Sequence, residues 1–353
     1  MIPDVASVFN QIISQYKPCL AQSVCNFDRS PTLPTISFEI FVVLGTAVML
    51  FILSKFTKSI LPKYLTMVAG VLIFEIFTAP MWNNYKLGRW AYVYRDVSWI
   101  LTIGWSTLIL STIVVVDKFF NHLREWKRFP IYLVLLTILV FITEITVVNL
   151  GVRSYSPEVK STIIGIFIFN VPIEGFYYIA VFTALVIGFY KYLTLITQKI
   201  PLIPIKKGKL VRNFFIALIG VFLFELMIEP MVVNSNLPGW SYIYRDISFL
   251  MTGGWIVIIW LAINIVDHLF INWKLTSRFL GYILTGGVFA LPLESWLINN
   301  HFRIYGPSAV ANFVGINTPV TDIPIEVIFA IPLYLALIIS FIKYWETILD
   351  NKL

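Results

Sequence analysis

The sequence predicts an all-α integral membrane protein of about nine transmembrane helices. An extra N-terminal helix precedes two parallel four-helix repeats, related by a pseudo-twofold axis along the membrane normal. Three observations carry this reading. Hydrophobic residues make up 58% of the 353 and charged residues only 13%, where a soluble domain carries about 25% charged residues. Apolar runs repeatedly approach the ~20 residues that a helix needs to cross a bilayer. Finally, residues 70–119 are written again at 220–269, at an offset of 150 and without a gap.

The spans fall at roughly 38–54, 65–83, 97–116, 130–150, 169–190, 211–233, 247–266, 279–298 and 323–343. These runs are too long and too continuously apolar for the alternating ten-residue strands of a membrane barrel, the other way to satisfy a backbone in lipid. Residues 1–36 lack the basic start and cleavage site of a signal peptide and are expected on the outer face. Cys19 and Cys25, the only cysteines, both lie there; a disulfide closing that short loop and two free thiols both suit the spacing. Residues 37–56 form the extra helix, 64–193 the first repeat, 194–210 a cytoplasmic linker and 211–345 the second repeat.

Orientation follows from the basic residues. The connections after spans 1, 3, 5 and 7, with the C-terminus, hold 17 of the 26 lysines and arginines. The positive-inside rule puts them in the cytoplasm, with the N-terminus outside and the C-terminus inside. The net charge of +7 is then a topology signal that favours contact with anionic lipid; it is no nucleic-acid footprint.

The duplication kept its polar letters. Of the 36 pairs from 70/220 to 105/255, 17 are identical. They include Glu75/Glu225, Trp90/Trp240, Tyr94/Tyr244, Arg95/Arg245, Asp96/Asp246 and Trp105/Trp255. The copy continues through Glu144/Glu294, Arg153/Arg303 and Tyr155/Tyr305, and then, after a two-residue insertion, through Pro172-Ile173-Glu174 and Pro324-Ile325-Glu326. Polar groups beside apolar runs are costly, so their retention points to a site built twice. Fourteen of the 19 acids fall on the outer side, which is where chemistry is expected, since the inner halves of the spans read as almost free of polar residues.

The candidate acids and bases are Glu75, Asp96, Glu144, Glu174, Glu225, Glu229, Asp246, Glu294 and Glu326. The candidate substrate-binding groups are Trp90, Tyr94, Trp105, Trp240, Tyr244 and Trp255, with Arg95, Arg153, Arg245, Arg303 and Tyr305. Glu75 and Glu225 each lie about two turns inside an apolar helix, roughly 10 Å from its end at ~1.5 Å per residue. A carboxylate there keeps its proton or needs a partner, and the arginines on offer are Arg95 or Arg153 and Arg245 or Arg303. A structural ion-pair network and a proton-donating or ion-binding cluster both fit. Glu174 and Glu326 also suit an ordinary helix start, with proline and an acid in the first turn. Glu229 has no counterpart, because Ala79 stands at its place in the first copy. Aromatic groups at helix ends serve as interface anchors, or, beside an acid, shelter a carbocation.

Other chemistries lack their motifs. His122, His268 and His301 make no metal-ligand pattern, and no P-loop, dinucleotide fingerprint or nucleophile elbow occurs. No lysine is expected in mid-helix, where a retinal Schiff base would form.

The second hairpins, 144–178 and 294–329, resemble the repeat of the membrane-bound lycopene cyclases of archaea, actinobacteria and fungi. The matching text is Glu294, the aromatic loop from His301 to Tyr305, Gly315 and Pro324-Ile325-Glu326. The first hairpins, above all Glu229-Pro230-Met231 through Trp240 to Gly254-Trp255, look like the related membrane carotenoid hydratases. This chain has Gly175 and Val327 where the family's Pro-x-Glu-Glu has its second glutamate, and four helices per repeat rather than three. The resemblance implies an isoprenoid or carotenoid substrate entering from lipid and protonated by a carboxyl group. Aromatic side chains would shelter the cation, a second carboxylate would take a proton or direct water, and no cofactor would be needed. A carboxylate-coupled transporter, or a carotenoid- or lipid-binding protein without turnover, are the alternative readings of the same residues.

Overall fold

The computed structural model describes residues 30–197, 210–319 and 321–351. The cysteines and most of the expected linker lie outside these residues. Among the described residues, nine helices are long and apolar enough to cross a membrane, and the protein is an all-α integral membrane protein as the composition predicts. Helix α1 (Leu33–Phe56) opens on a capping box, in which Thr32 and Thr35 satisfy each other's backbone amides. The first repeat comprises α2 (Ile60–Thr78), α3 (Trp99–Phe119), α4 (Glu125–Asn149), the short α5 (Pro157–Thr162) and α6 (Gly175–Thr197). The second comprises α7 (Leu210–Ile228), α8 (Phe249–Leu269), α9 (Leu275–Asn299), the short α10 (Pro307–Ala311) and α11 (Ile325–Asn351).

The two repeats meet through their first and last long helices. α6 packs on α11, and the contacts α2 to α11 and α7 to α6 are exchange partners, as pseudo-twofold symmetry requires. The pairs α3/α4 and α8/α9 flank this centre, and α1 leans on α3. At Gly188 of α6 an added Cβ would lie 3.0 Å from the Cα of Phe341, so glycine is what lets the two central helices approach. Phe74, Phe182 and Phe224 then pack around Tyr334 and Phe77 to fill the seam.

The connections after α2, α4, α7 and α9 gather at one end and carry the small sheets. Strand β1 (Trp82–Asn84) pairs with β4 (Arg153–Tyr155), with Asn84 opposite Arg153. β2 (Tyr92–Tyr94) pairs with β3 (Val97–Ser98), and β5 (Phe167–Ile168) with β6 (Val171–Pro172). The second repeat matches with β7 (Val232–Asn234) against β10 (Arg303–Tyr305), and β8 (Tyr242–Tyr244) against β9 (Ile247–Ser248). Arg95 and Arg245 turn their hairpins in the left-handed region, at φ 49° and 48°. The fifth span is the clearest correction of a boundary. Its apolar run from residue 169 takes in the turn and second strand of the β5–β6 hairpin, and the helix starts only at Gly175.

The opposite, basic end also departs from expectation. Asp117 joins Arg128 at 2.8 Å and Lys191 at 2.8 Å; Glu125 joins Arg128 at 2.6 Å and Lys191 at 3.0 Å. Tyr132 donates to Asp117, and Tyr344 reaches across from the other repeat to Glu125 at 2.8 Å. In the second repeat Asp267 joins Arg278 at 3.2 Å and Lys343 at 2.9 Å, and Glu346 joins Lys343 at 2.5 Å. The inner halves are therefore not free of polar groups, and lysines do lie within helices: α6 continues past its run to take in Lys191, and Lys343, the last residue of the ninth run, lies well inside α11. Each cluster sets two acids against two bases, so it is part-buried without net charge, which spares the cost of an unpaired charge away from water.

Candidate functional site

In each repeat the β1–β4 type sheet brings an arginine from one hairpin over a glutamate from another. In the first repeat Arg153 pairs with Glu144 at 3.3 Å and with Glu75 at 3.8 Å, and its Nε donates to Asn84 Oδ1 at 3.0 Å. Tyr155 donates to Glu144 at 3.2 Å, and Thr102 donates to Glu75. The Asn84 amide and side chain in turn hold Asp96, through bonds of 3.2 and 2.8 Å. Rings of Trp82 and Trp105 lie 5.1 and 5.9 Å from the guanidinium, within cation–π range. All of Glu75, Asp96, Glu144 and Arg153 are buried.

The second repeat rebuilds this set. Arg303 pairs with Glu294 at 3.0 Å and reaches Asn234 at 3.3 Å; Tyr305 donates to Glu294 at 2.5 Å, and Thr252 to Glu225. Asn234 holds Asp246 through bonds of 3.0 and 3.1 Å. Trp255 lies 5.9 Å from the Arg303 guanidinium. Of the two arginines on offer to Glu75, the sheet register therefore selects Arg153, whereas in the second repeat Arg303 pairs with Glu294 and Glu225 is held by Thr252.

Burial shifts the groups that lie in the connections. It pushes the Asp96 carboxyl up to about 6, against the stabilising backbone hydrogen bond of Asn84. It also raises Asp246, again opposed by the Asn234 amide. Tyr155 and Tyr305 are raised first by burial and then by the glutamates beside them.

The repeats differ in the space they leave. The first encloses a cavity of only about 50 Å³, bounded by Glu75, Trp82, Trp105, Glu144, Arg153 and Tyr178. The second opens a cavity of about 470 Å³. Val232 stands where the first repeat has Trp82, and Ala330 where it has Tyr178; the larger pair lines the small cavity and the smaller pair the large one. Phe141 and Phe176, stacked at 3.9 Å beside the small cavity, become Leu291 and Ile328. Losing the Trp82 equivalent leaves Arg303 covered by one indole instead of two.

The large cavity lies between the repeats. Ile76, Phe77, Ala79, Pro80 and Tyr94 of the first repeat form one wall; Trp255, Tyr305, Tyr334 and Phe313 line the other. Glu225, Glu229, Glu294, Arg303 and Glu326 are its charged groups. Phe329, 67% exposed, stands on the lipid-side flank of α11 at its rim. Apolar walls with a few convergent polar groups are the usual make-up of a small-molecule site.

The remaining sequence candidates sit elsewhere. Glu174 accepts the Ile164 amide at 2.6 Å and Glu326 the Val314 amide at 2.5 Å. These glutamates tie loops to helix starts, and Glu326 also borders the cavity. Asp96 and Asp246 lie behind Asn84 and Asn234. Arg95 donates to the Ala311 carbonyl at 2.9 Å and Arg245 to the Thr162 carbonyl at 2.8 Å, each crossing to the other repeat's short helix. Trp90 packs on Trp99 and Trp240 on Phe249 at the surface, and Tyr244 is half exposed under Arg245. Sequence reasoning missed Asn84 and Asn234, although they are identical across the repeat, and left Thr102 and Thr252 without a role. Tyr334 carried no signal, because Phe182 stands at its place in the first copy.

Among the described residues no group of three or more histidines, cysteines, aspartates or glutamates is arranged to hold a metal ion. No known family model matches the chain, and no curated protein or solved structure is significantly similar to it.

Proposed function

We propose that the protein is a membrane enzyme that modifies the end of an isoprenoid or carotenoid chain by carboxylate acid–base chemistry, in the manner of a cyclase or hydratase. The observation that carries this reading is the second-repeat cavity, which combines about 470 Å³ of apolar space with four carboxyl groups and a guanidinium. A rod-shaped polyene fits such a site end-on, with its tail left in lipid beside Phe329. A carboxyl group protonates the terminal double bond, and the faces of Trp255 and the neighbouring aromatic rings stabilise the resulting cation. For ring closure a neighbouring double bond of the chain attacks this cation, and a second carboxylate then removes a C–H proton from the cyclic cation; for hydration that carboxylate orients a water that adds to the cation. Glu294, fixed by Arg303 and Tyr305, suits that ionised role. Residue for residue, Glu294, Tyr305 and Glu326 are the positions that match the lycopene cyclase-like motifs. In this reading the cavity end of the bundle faces outward and the basic end lies in the cytoplasm. The small cavity of the first repeat admits no polyene, so one end of the substrate is modified per binding event.

The test is to produce the protein in cells that make lycopene, or to supply linear polyenes to the purified protein, and to follow absorption and chromatographic retention. A shifted product that disappears with Glu294→Gln supports the reading. Unchanged polyenes, with protein verified in the membrane, count against it. A carboxylate-coupled transporter is the second reading, favoured by the buried ionic clusters at the basic end. Proton uptake into protein-containing vesicles, absent from empty ones, selects it.

A further inference from the structure

Four carboxyl groups border the large cavity, and three of them have only basic or neutral partners. Glu294 is held by Arg303 and Tyr305. Glu225 accepts from Thr252. Glu326 holds the Val314 amide. Glu229 is different. It sits on the 3₁₀ turn Glu229–Met231 that ends α7 and interacts directly with a second carboxyl group, that of Asp246. Its basic neighbour, Arg245, stands 3.6 Å away and is 38% exposed. Tyr178 of α6, in the other repeat, is the remaining titratable group that feels it.

The comparison within the chain isolates this group further. The first repeat has the same aspartate (Asp96), the same arginine (Arg95) and the same asparagine support, but Ala79 in place of Glu229. The repeat with the collapsed cavity thus lacks the glutamate, and the repeat with the open cavity has it. Two facing carboxyl groups cannot both ionise readily, so such a pair retains one proton between them. Burial acts in the same direction on Asp246. Glu229 on the cavity wall thus has Asp246 on one side and the part-exposed guanidinium of Arg245, 3.6 Å away, on the other.

We infer that Glu229 is the proton donor of the site and that Asp246 reloads it from the water side of the hairpin. This rests on the enzyme reading above and assigns its acid. In the step, the Glu229 O–H bond breaks and the π pair of the terminal double bond forms a C–H bond, leaving positive charge on the adjacent carbon. The Glu229 carboxylate then takes the proton held by Asp246, and Asp246 takes one from water. The cation is attacked by a neighbouring double bond of the chain, which closes the ring, and the cyclic cation loses a C–H proton to Glu294; in hydration, water adds to the first cation and gives its proton to Glu294. Glu294 returns that proton to water before the next turnover, so one proton is taken in and one given out, and no electron donor or acceptor is involved.

The experiment uses the full-length protein in lipid nanodiscs with lycopene as the probe. Glu229→Ala, which installs the residue of the first repeat, and Glu229→Gln are each expected to lower the initial rate by ~100-fold or more, the usual worth of a general acid. Asp246→Asn is expected to slow turnover by ~10-fold and displace the pH profile, since it impairs reloading rather than donation. Infrared spectra supply a readout that needs no substrate: wild type should show a protonated-carboxyl band that Glu229→Gln or Asp246→Asn removes or shifts. A Glu229→Ala protein that converts lycopene at the wild-type rate overturns the inference, as does a band unaffected by either substitution. If wild type converts no polyene at all, the enzyme reading fails instead, and the infrared band alone decides whether the shared proton exists.

Discussion

Arg153 and Arg303 occupy equivalent places, yet only Arg303 looks into usable space, and the difference comes down to single side chains. Trp82 and Tyr178 fill the first site; Val232 and Ala330 leave the second open. Val232→Trp should therefore refill the cavity and abolish polyene conversion while leaving thermal stability near wild type, since it adds volume where volume is missing. Activity and melting temperature, measured side by side, check this. Trp82 is partly buried against the core, so Trp82→Val in the first repeat is expected to destabilise by less than the ~3–5 kcal/mol of truncating a fully buried aromatic, measured by thermal denaturation in detergent. Asp96 sets a pH dependence. Its folded-state carboxyl is raised by burial to about 6, above the ~3.9 of an unfolded aspartate. Its contribution is therefore full below about pH 4 and lost as pH rises through about 6. The melting temperature should fall across that window in wild type, and Asp96→Asn should flatten the slope. The duplicated letters made Glu75, Glu225, Glu144, Glu294, Arg153 and Arg303 legible as one constellation. The cavity was not legible, because it depends on which neutral side chains are small.

At the scale of elements, the helices were readable where hydrophobicity alone decides, and misread where charge enters. The apolar runs placed all nine long helices, but α6 runs on past its apolar text to Lys191, and Lys343, the last residue of its run, lies inside α11 rather than at its end. A lysine after the last leucine reads as a loop residue until a facing helix supplies its carboxylates. Here α3 brings Asp117 and α8 brings Asp267. Lys343 is 4% exposed and shared between Asp267 and Glu346. Lys343→Met should leave Glu346 without its cation and Asp267 with Arg278 alone, and cost ~3–5 kcal/mol, as breaking a buried pair does. The drop in melting temperature reports it, and Lys343→Arg should recover part of the loss. The β5–β6 hairpin was misread for the reverse reason, since an apolar strand pair and an apolar helix share composition and differ only in period.

For the molecule as a whole, the offset of 150 foretold two parallel units, and the exchange-related contacts of α2, α6, α7 and α11 are their meeting surface. What the offset could not convey is that the units cooperate on one cavity. Ile76, Phe77, Ala79 and Tyr94 of the first repeat wall the site whose charged groups belong to the second, while Arg95 and Arg245 latch each hairpin onto the opposite repeat. Duplication thus supplied two frameworks, and divergence kept one as wall and support for the other. The most direct test of this account is to incubate the purified protein in lipid with lycopene and resolve the products by absorption and retention. The account predicts conversion by wild type that Val232→Trp and Glu229→Ala each remove while the protein stays folded. A folded wild-type protein that leaves lycopene and other linear polyenes unchanged would contradict it.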